Sequence, residues 1–304
     1  MFLDCATRYP LLFLHGVGFN DRMRSFYWGR IPGVLKKRGA RVFFGGHDAW
    51  GTFEDNARQI AGALEKALAK TGCEKVNIIA HSKGGIDARY LISSMGADSK
   101  VASLTTISTP HCGSKTLGDF ACKARPMFRL ISPLVNGFFR LSGDVTPDFF
   151  GVCRAIAPQR MGEFNRQNPD APGVYYQHYA ALMSSTASDA VFSLTHFIIR
   201  AYDGENDGIV AVSSVPYGRA EDFKGILYTR VRRGVSHSDA TDYRRRPFLR
   251  ASQVESGGST PQTQGAECAV KSQNDELATP PLILVNNMCD FYVDLVANLK
   301  ASGL

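Results

Sequence analysis

Val76-Asn77-Ile78-Ile79-Ala80-His81-Ser82-Lys83-Gly84-Gly85 is a short apolar strand, rich in β-branched residues, that runs through a serine into the start of a helix. The helical pattern continues in Ile86, Ala88, Arg89, Tyr90, Leu91 and Ile92. Where a strand turns sharply into a helix, the positions two before and two after the turning residue must be very small, because strand and helix pack close together. Ala80 and Gly84 meet that need, with Ala80 adding one methyl to the commoner glycine. A turn of this kind presents its serine hydroxyl, so Ser82 is the candidate nucleophile. A small-x-Ser-x-Gly match alone occurs in many loops. The strand before it and the helix after it give it weight.

The flanking chain repeats the alternation. Tyr9 to Gly18 contains an apolar run too continuous for a half-exposed strand, as expected of a central parallel strand that ends in a glycine loop. Arg41–Gly45 reads as the next strand, and Glu54–Lys70 as an amphipathic helix with Ile60, Ala61, Leu64, Ala67 and Leu68 on one face, stopped by Gly72. Val101–Ser108 forms another buried strand, and Phe197–Ala201 and Ile226–Val231 are predicted as two more. A helix from about Met288 to Lys300 closes the chain, with Phe291, Leu295, Val296 and Leu299 as its buried stripe. Alternating strands and helices predict a doubly wound α/β architecture with a mostly parallel sheet.

After the strand that ends near Ser108, the alternation breaks. Residues 113–172 carry Phe120, Met127, Phe128, Leu130, Ile131, Leu134, Val135, Phe138, Phe139 and Leu141 near a helical period, interrupted by Pro126 and Pro133. This is a predicted helical cap, or lid, inserted between core segments 1–112 and 173–304. It reads equally as an apolar acyl-chain pocket carrying Phe138 and Phe139, as a mobile lid, or as a plain packing layer. The Ser-, Gly-, Thr- and Gln-rich stretch 250–281 is predicted as a loose surface loop within the core domain.

Composition sets bounds on this reading. With 304 residues, 44% hydrophobic and 21% charged, the chain can bury a large core or a core plus a cap. No stretch reaches the roughly 18–20 continuous apolar residues of a membrane span. The start, Met1 to Arg8, carries an acid and no basic stretch followed by a long apolar one. A cytoplasmic location is therefore expected, or secretion if a leader has been removed. The seven cysteines are scattered without metal-ligand spacing and read mainly as buried or idle thiols. The formal charge of +7 is concentrated at Arg230, Arg232, Arg233 and Arg244-Arg245-Arg246, with no nucleic-acid motif beside it. It reads as a solvated basic face or as attraction to an anionic lipid surface.

A serine hydroxyl becomes a useful nucleophile when an imidazole takes its proton and a carboxylate orients that imidazole. On a sheet of this kind the expected order is nucleophile, acid, histidine. Of the seven histidines, His15 and His81 precede or abut the serine, and His47, His111, His178 and His196 precede the best acid. Only His237 follows it, so His237 is the candidate base. The acid is Asp207, in the polar turn Asn206-Asp207-Gly208 before Ile209-Val210, with Asp203 and Glu205 close rivals. Two backbone N–H groups must meet the oxyanion, one after the nucleophile and one in the loop after the first central strand. These are Lys83 and Val17, with His15 and Gly16 beside them as substrate-facing residues.

Tyr9-Pro10 with Leu14-His15-Gly16-Val17-Gly18, then Ala80 to Gly85, Ile107 to Ser114, and finally Asn206 to Val210 with His237 resemble the bacterial triacylglycerol lipases of the α/β-hydrolase superfamily. The resemblance spans most of residues 9–240. It implies ester hydrolysis through an acyl-enzyme on Ser82, Asp207 and His237, a lipid or small-molecule ester as substrate, transient contact with a lipid interface, and no required organic cofactor. It also implies a structural calcium near the histidine, for which Asp189 and Asp239 are the matching positions. Transfer to an alcohol, a thioester substrate or polyester cleavage would use the same triad. An inactive lipid-binding relative would lack one of its members.

Overall fold

The computed structural model describes residues 3–229, 233–245 and 281–304. Its seven strands are β1 (Leu11–Leu14), β2 (Val42–Phe44), β3 (Val76–His81), β4 (Val101–Ile107), β5 (Tyr175–Ala181), β6 (Phe223–Tyr228) and β7 (Leu282–Leu284). They form one sheet in the order β2-β1-β3-β4-β5-β6-β7, with every adjacent pair parallel. The helices are α1 (Arg24–Tyr27), α2 (Ile31–Lys37), α3 (Phe53–Thr71), α4 (Lys83–Ser93), α5 (Phe120–Lys123), α6 (Arg125–Ser142), α7 (Phe149–Ala155), α8 (Pro158–Gln167), α9 (Ser193–Tyr202) and α10 (Met288–Ala301).

The apolar run in β1 is continuous because both of its faces are covered. Leu11 and Phe13 enter a core with Trp28, Ile31, Leu35, Tyr292 and Val296, from α2, α10 and the α1–α2 turn. Leu12 and Leu14 enter the opposite core with Ile60, Leu64, Ala88 and Leu91, from α3 and α4. Successive side chains of a strand point to opposite faces, so a strand covered on both sides needs apolar residues at every position. The predicted stop of α3 is also seen: Gly72 takes the left-handed conformation, φ 66°, that closes a helix without a Cβ penalty.

The sheet places the site. The chain runs from β1 to β2 on one side and returns to β3 on the other, so the strand order reverses between β1 and β3. In open parallel sheets the crevice at the carboxyl ends of such strands is where ligands bind. The loop after β1 and the turn after β3 meet there, with Leu14 in register with Ala80.

Three sequence expectations require correction. Phe197–Ala201 is not a strand but part of helix α9. A short apolar run fits either element, and Leu194, Phe197 and Ile198 follow the i, i+3, i+4 helical spacing. The fifth strand is Tyr175–Ala181, obscured in sequence by Gln177 and His178. Each places a polar atom in a bond across the sheet: Gln177 Nε2 donates to Thr105 Oγ1 at 2.7 Å, and His178 Nδ1 lies 2.7 Å from Thr106 Oγ1. Lastly, Cys112 is disulfide-bonded, not an idle thiol, whereas Cys5, Cys73, Cys122, Cys153 and Cys289 are free.

Between β4 and β5 the chain forms a π-helical turn, Lys115–Asp119, and then α5 to α8. Except for Pro281, the stretch 250–281 lies outside the described residues, as do Arg230, Arg232 and Arg246. Among the described residues, no helix is long and apolar enough to cross a membrane.

Candidate active site

Ser82 occupies the turn between β3 and α4 with φ 55° and ψ −133°, a conformation that non-glycine residues rarely adopt. Hydrogen bonds on both sides hold it there: Ser82 N donates to Ile107 O at 3.0 Å, and Thr109 Oγ1 and Gly85 N donate to Ser82 O at 2.8 and 3.1 Å. The small neighbours have steric causes. A Cβ on Gly84 would lie 2.5 Å from His15 O and 2.8 Å from Leu14 O, inside the backbone at the end of β1. One on Gly16 would lie 2.6 Å from Ser82 Cβ, so glycine keeps open the space beside the serine.

Asp207 and His237 come together as expected. His237 Nδ1 donates to Asp207 Oδ2 at 2.7 Å, and the second carboxylate oxygen accepts from Ile209 N and Val210 N at 3.0 and 2.7 Å. His237 N also donates to Asp207 O at 2.8 Å, tying the two loops together by their backbones. Asp207 is fully buried, so this short ladder fixes both the carboxylate and the imidazole tautomer. The rival Asp203 is engaged elsewhere: it accepts from Thr116 N and Oγ1 at 2.9 and 2.7 Å, at the base of the inserted helices. The His237 ring lies 4.4 Å, centroid to centroid, from His81, the neighbour of Ser82. Among the described residues no hydrogen bond yet joins Ser82 Oγ to His237. Hydrogen bonds of this kind are often long until a ligand binds.

Lys83 N–H, at the first position of α4, and Val17 N–H, in the loop after β1, have no acceptor among the described residues. The loop is held by stacked imidazoles. His15 lies 3.8 Å from His47 with ring planes 9° apart, and each Nε2 is 3.1 Å from the other residue's carbonyl oxygen. The Lys83 side chain points away from the chemistry. Its buried ammonium donates to both Asp87 oxygens at 2.7 and 2.9 Å, and burial lowers its pKa against the pull of that carboxylate.

Residues 10–142 match the palmitoyl protein thioesterase family. Over 241 residues the chain is 39% identical to a triacylglycerol lipase of Vibrio cholerae, covering 70% of this chain and 75% of the relative. The chain belongs to the lipase and esterase family of α/β-hydrolases. It is also 33% identical over 180 residues to triacylglycerol lipases of Pseudarthrobacter phenanthrenivorans and Burkholderia plantarii, covering 55% of this chain and 56% and 49% of those proteins. It thus spans about half the length of these two relatives. The fold is that of the mature form of a Bacillus licheniformis lipase (TM-score 0.58, 20% identity, covering 79% of this chain and 88% of that one) and of lipase 1 from Pelosinus fermentans (TM-score 0.57, 14% identity, covering 97% and 99%).

Within this α/β-hydrolase frame, sequence reasoning missed Tyr27. Its hydroxyl accepts from Gly16 N at 2.6 Å and lies 2.6 Å from His81 Nδ1. Burial raises the phenol pKa well above its usual value, so the hydroxyl keeps its proton. Burial, and then the nearby His237, lower that of His81 well below the ordinary range, so its ring is neutral and accepts from Tyr27. The tyrosine therefore pins the loop after β1 to the elbow. Nothing in its local sequence marks it.

Of the residues expected to face substrate, Gly16 lies against Ser82, whereas the His15 ring is buried on His47 with its Nδ1 2.8 Å from Gly16 O. Phe138 is exposed, and Phe139 packs on Phe138 at 5.2 Å and Trp50 at 6.1 Å, with no described ring contact to His237. The phenylalanine beside His237 is Phe192, its ring edge-on at 6.5 Å.

The acids implied for calcium also converge, but a guanidinium stands between them. Arg244 Nη1 lies 3.0 Å from Asp189 Oδ2, its Nε donates to Asp239 Oδ1 at 2.7 Å, and its Nη2 pairs with Asp239 Oδ2. Calcium takes six to eight oxygen ligands at about 2.3–2.6 Å. Here the carboxylate oxygens are turned to N–H donors, and a second cation would be repelled. The donor set does not fit a calcium ion.

Proposed function

We propose that this chain is a serine carboxylester hydrolase, lipase-like in its preference for apolar acyl esters. The observation that carries the proposal is the buried Asp207 carboxylate on His237 Nδ1, beside the carboxyl ends of β1 and β3 where the strained Ser82 turn meets the β1 loop. Ser82 Oγ attacks the ester carbonyl while His237 Nε2 takes its proton, and Asp207 stabilises the imidazolium. The N–H groups of Val17 and Lys83 receive the tetrahedral oxyanion. Collapse breaks the C–O bond, and His237 returns the proton to the leaving alcohol. A water deprotonated by the same nitrogen then attacks the acyl-enzyme and frees the acid and Ser82.

The inserted helices suggest how an apolar substrate arrives. On α6 Leu130, Leu134 and Leu141 are 81%, 79% and 89% exposed and share a helix face with exposed Phe138. On α9 Leu194 and Phe197 are also exposed. Both helices carry arginine and neither carries an acid. An amphipathic cationic face of this kind suits the surface of an ester-bearing lipid aggregate. The disulfide at Cys112 favours an oxidising compartment over the cytoplasm.

Turnover of acyl p-nitrophenyl esters by wild type and Ser82→Ala tests the mechanism. The variant is expected to lose about 10³-fold or more in kcat, and equal rates would refute it. The match of residues 10–142 to a thioesterase family favours a second substrate class, the acyl thioester. A parallel assay with acyl thioesters decides between the two by their kcat/KM.

A further inference from the structure

Arg244 was one of three consecutive arginines that read, in sequence, as a surface charge run. Its guanidinium is instead largely enclosed, with 15% of the side chain exposed, between carboxylates that are almost fully buried. It grips Asp239 through Nε and Nη2, in the bidentate fork that suits a planar guanidinium, and reaches Asp189 through Nη1 at 3.0 Å. Its Nη2 also lies 3.2 Å from Ser236 Oγ.

The contacts of Asp189 place this cluster against the candidate base. Asp189 Oδ2 accepts from Ser236 Oγ at 2.8 Å and from Ser238 Oγ at 3.2 Å, the residues on either side of His237. Its Oδ1 accepts from Val191 N at 3.1 Å, which ties it to the segment leading into α9. Asp239 N in turn donates to Ser236 Oγ at 3.2 Å. The segment from Ser236 to Asp239 is therefore held at both flanks of the imidazole by carboxylates that would repel one another without a positive charge between them.

We propose that Arg244 is the built-in cation of this enzyme: its guanidinium joins Asp189 to Asp239 and positions the His237 loop, the task for which a bound calcium is implied by resemblance. The proposal rests on the serine-hydrolase reading. It makes Arg244 a positioning residue that acts through the loop and not on the substrate. It also predicts activity independent of divalent cations. The serine hydroxyls fit this assignment, since they donate to Asp189, whereas around a metal ion they would turn their oxygens to it.

The test compares the full chain with Arg244→Ala and Arg244→Lys on an acyl p-nitrophenyl ester, each after dialysis against EDTA and again with calcium or guanidinium chloride added. Wild type is expected to keep its kcat in EDTA and gain nothing from calcium. Arg244→Ala is expected to lose about 10- to 100-fold in kcat, the scale of a misplaced catalytic group, with KM little changed. Calcium or guanidinium, entering between the vacated carboxylates, should restore part of that loss. Arg244→Lys keeps the charge without the fork and should fall between. Loss of wild-type activity in EDTA with recovery in calcium would overturn the proposal, as would wild-type kcat in Arg244→Ala. Should the alanine variant fail to fold, Arg244→Lys with undiminished kcat would overturn it equally. If wild type turns over no ester at all, the hydrolase reading fails instead, a result distinct from any of these.

Discussion

Asp207 and Asp203 stand four positions apart in one polar stretch, and only their partners tell them apart. Asp207 is buried on His237 with two backbone amides on its free oxygen, while Asp203 caps the start of the inserted helices through Thr116. Asp207→Asn should lower kcat by about 10³- to 10⁴-fold, because an amide no longer selects the Nδ1–H tautomer. Asp203→Asn should leave kcat within a few-fold. Steady-state kinetics on a soluble ester checks both, and the reverse ranking would reassign the acid. The candidate serine, histidine and acid could be picked out in sequence because the proposed chemistry is coupled to local turns and to chain order. Tyr27 and Arg244 were not, since each gains its role from a partner far along the chain.

At the scale of single elements, the elbow and the inserted helices differ in what determines them. The start of α4 presses on the backbone of β1, so Gly84 is dictated by contact with His15 O. Helix α6 shows the opposite case. Its apolar stripe is evident from spacing, yet Leu130, Leu134 and Leu141 face outward. Burying a leucine side chain contributes roughly 1.5–3 kcal/mol, which this face can gain only against something apolar outside the fold. Replacing Leu130, Leu134 and Leu141 together by serine should cut hydrolysis of emulsified long-chain esters about 10-fold or more, on that scale of lost burial. Turnover of a soluble short-chain ester should change little. Equal losses on both substrates would make the stripe a packing surface for the fold. The misassigned strand at Phe197–Ala201 has the same origin: an outward-facing apolar helix resembles a buried strand until its neighbours are known.

Across the whole molecule, buried imidazoles couple stability to pH. Burial is the chief cause that holds His47, His81 and His111 well below the ordinary range and brings His178 down to about 3. Below about pH 6.5 the unfolded chain therefore binds protons that the folded chain refuses. Their contribution is fully present above that value and is lost as pH falls below it, for His178 as pH falls toward about 3. Each such histidine should cost about 1.4 kcal/mol of stability per pH unit within that window. Urea unfolding at a series of pH values from neutral to mildly acidic should show the midpoint falling steadily. A flat profile would mean these rings titrate normally. Their packing also binds distant parts together: Arg89 on the elbow helix donates to Asn165 Oδ1 and Asn168 O, each at 2.7 Å, and stacks 3.6 Å over Tyr217, next to His111.

The parallel α/β class, the serine elbow, the order of the triad candidates and the helical insertion could be read from the chain alone. Each of these follows from periodicity, from small residues at a tight turn, or from chain order, all of which are local properties. Which strand lies fifth, which apolar helices stay exposed, how Tyr27 joins the loop after β1 to the elbow, and that a guanidinium stands between Asp189 and Asp239 emerge only in the folded chain. Those outcomes depend on which side chains meet across long separations. There, burial and charge pairing override the local preferences that a linear reading can follow.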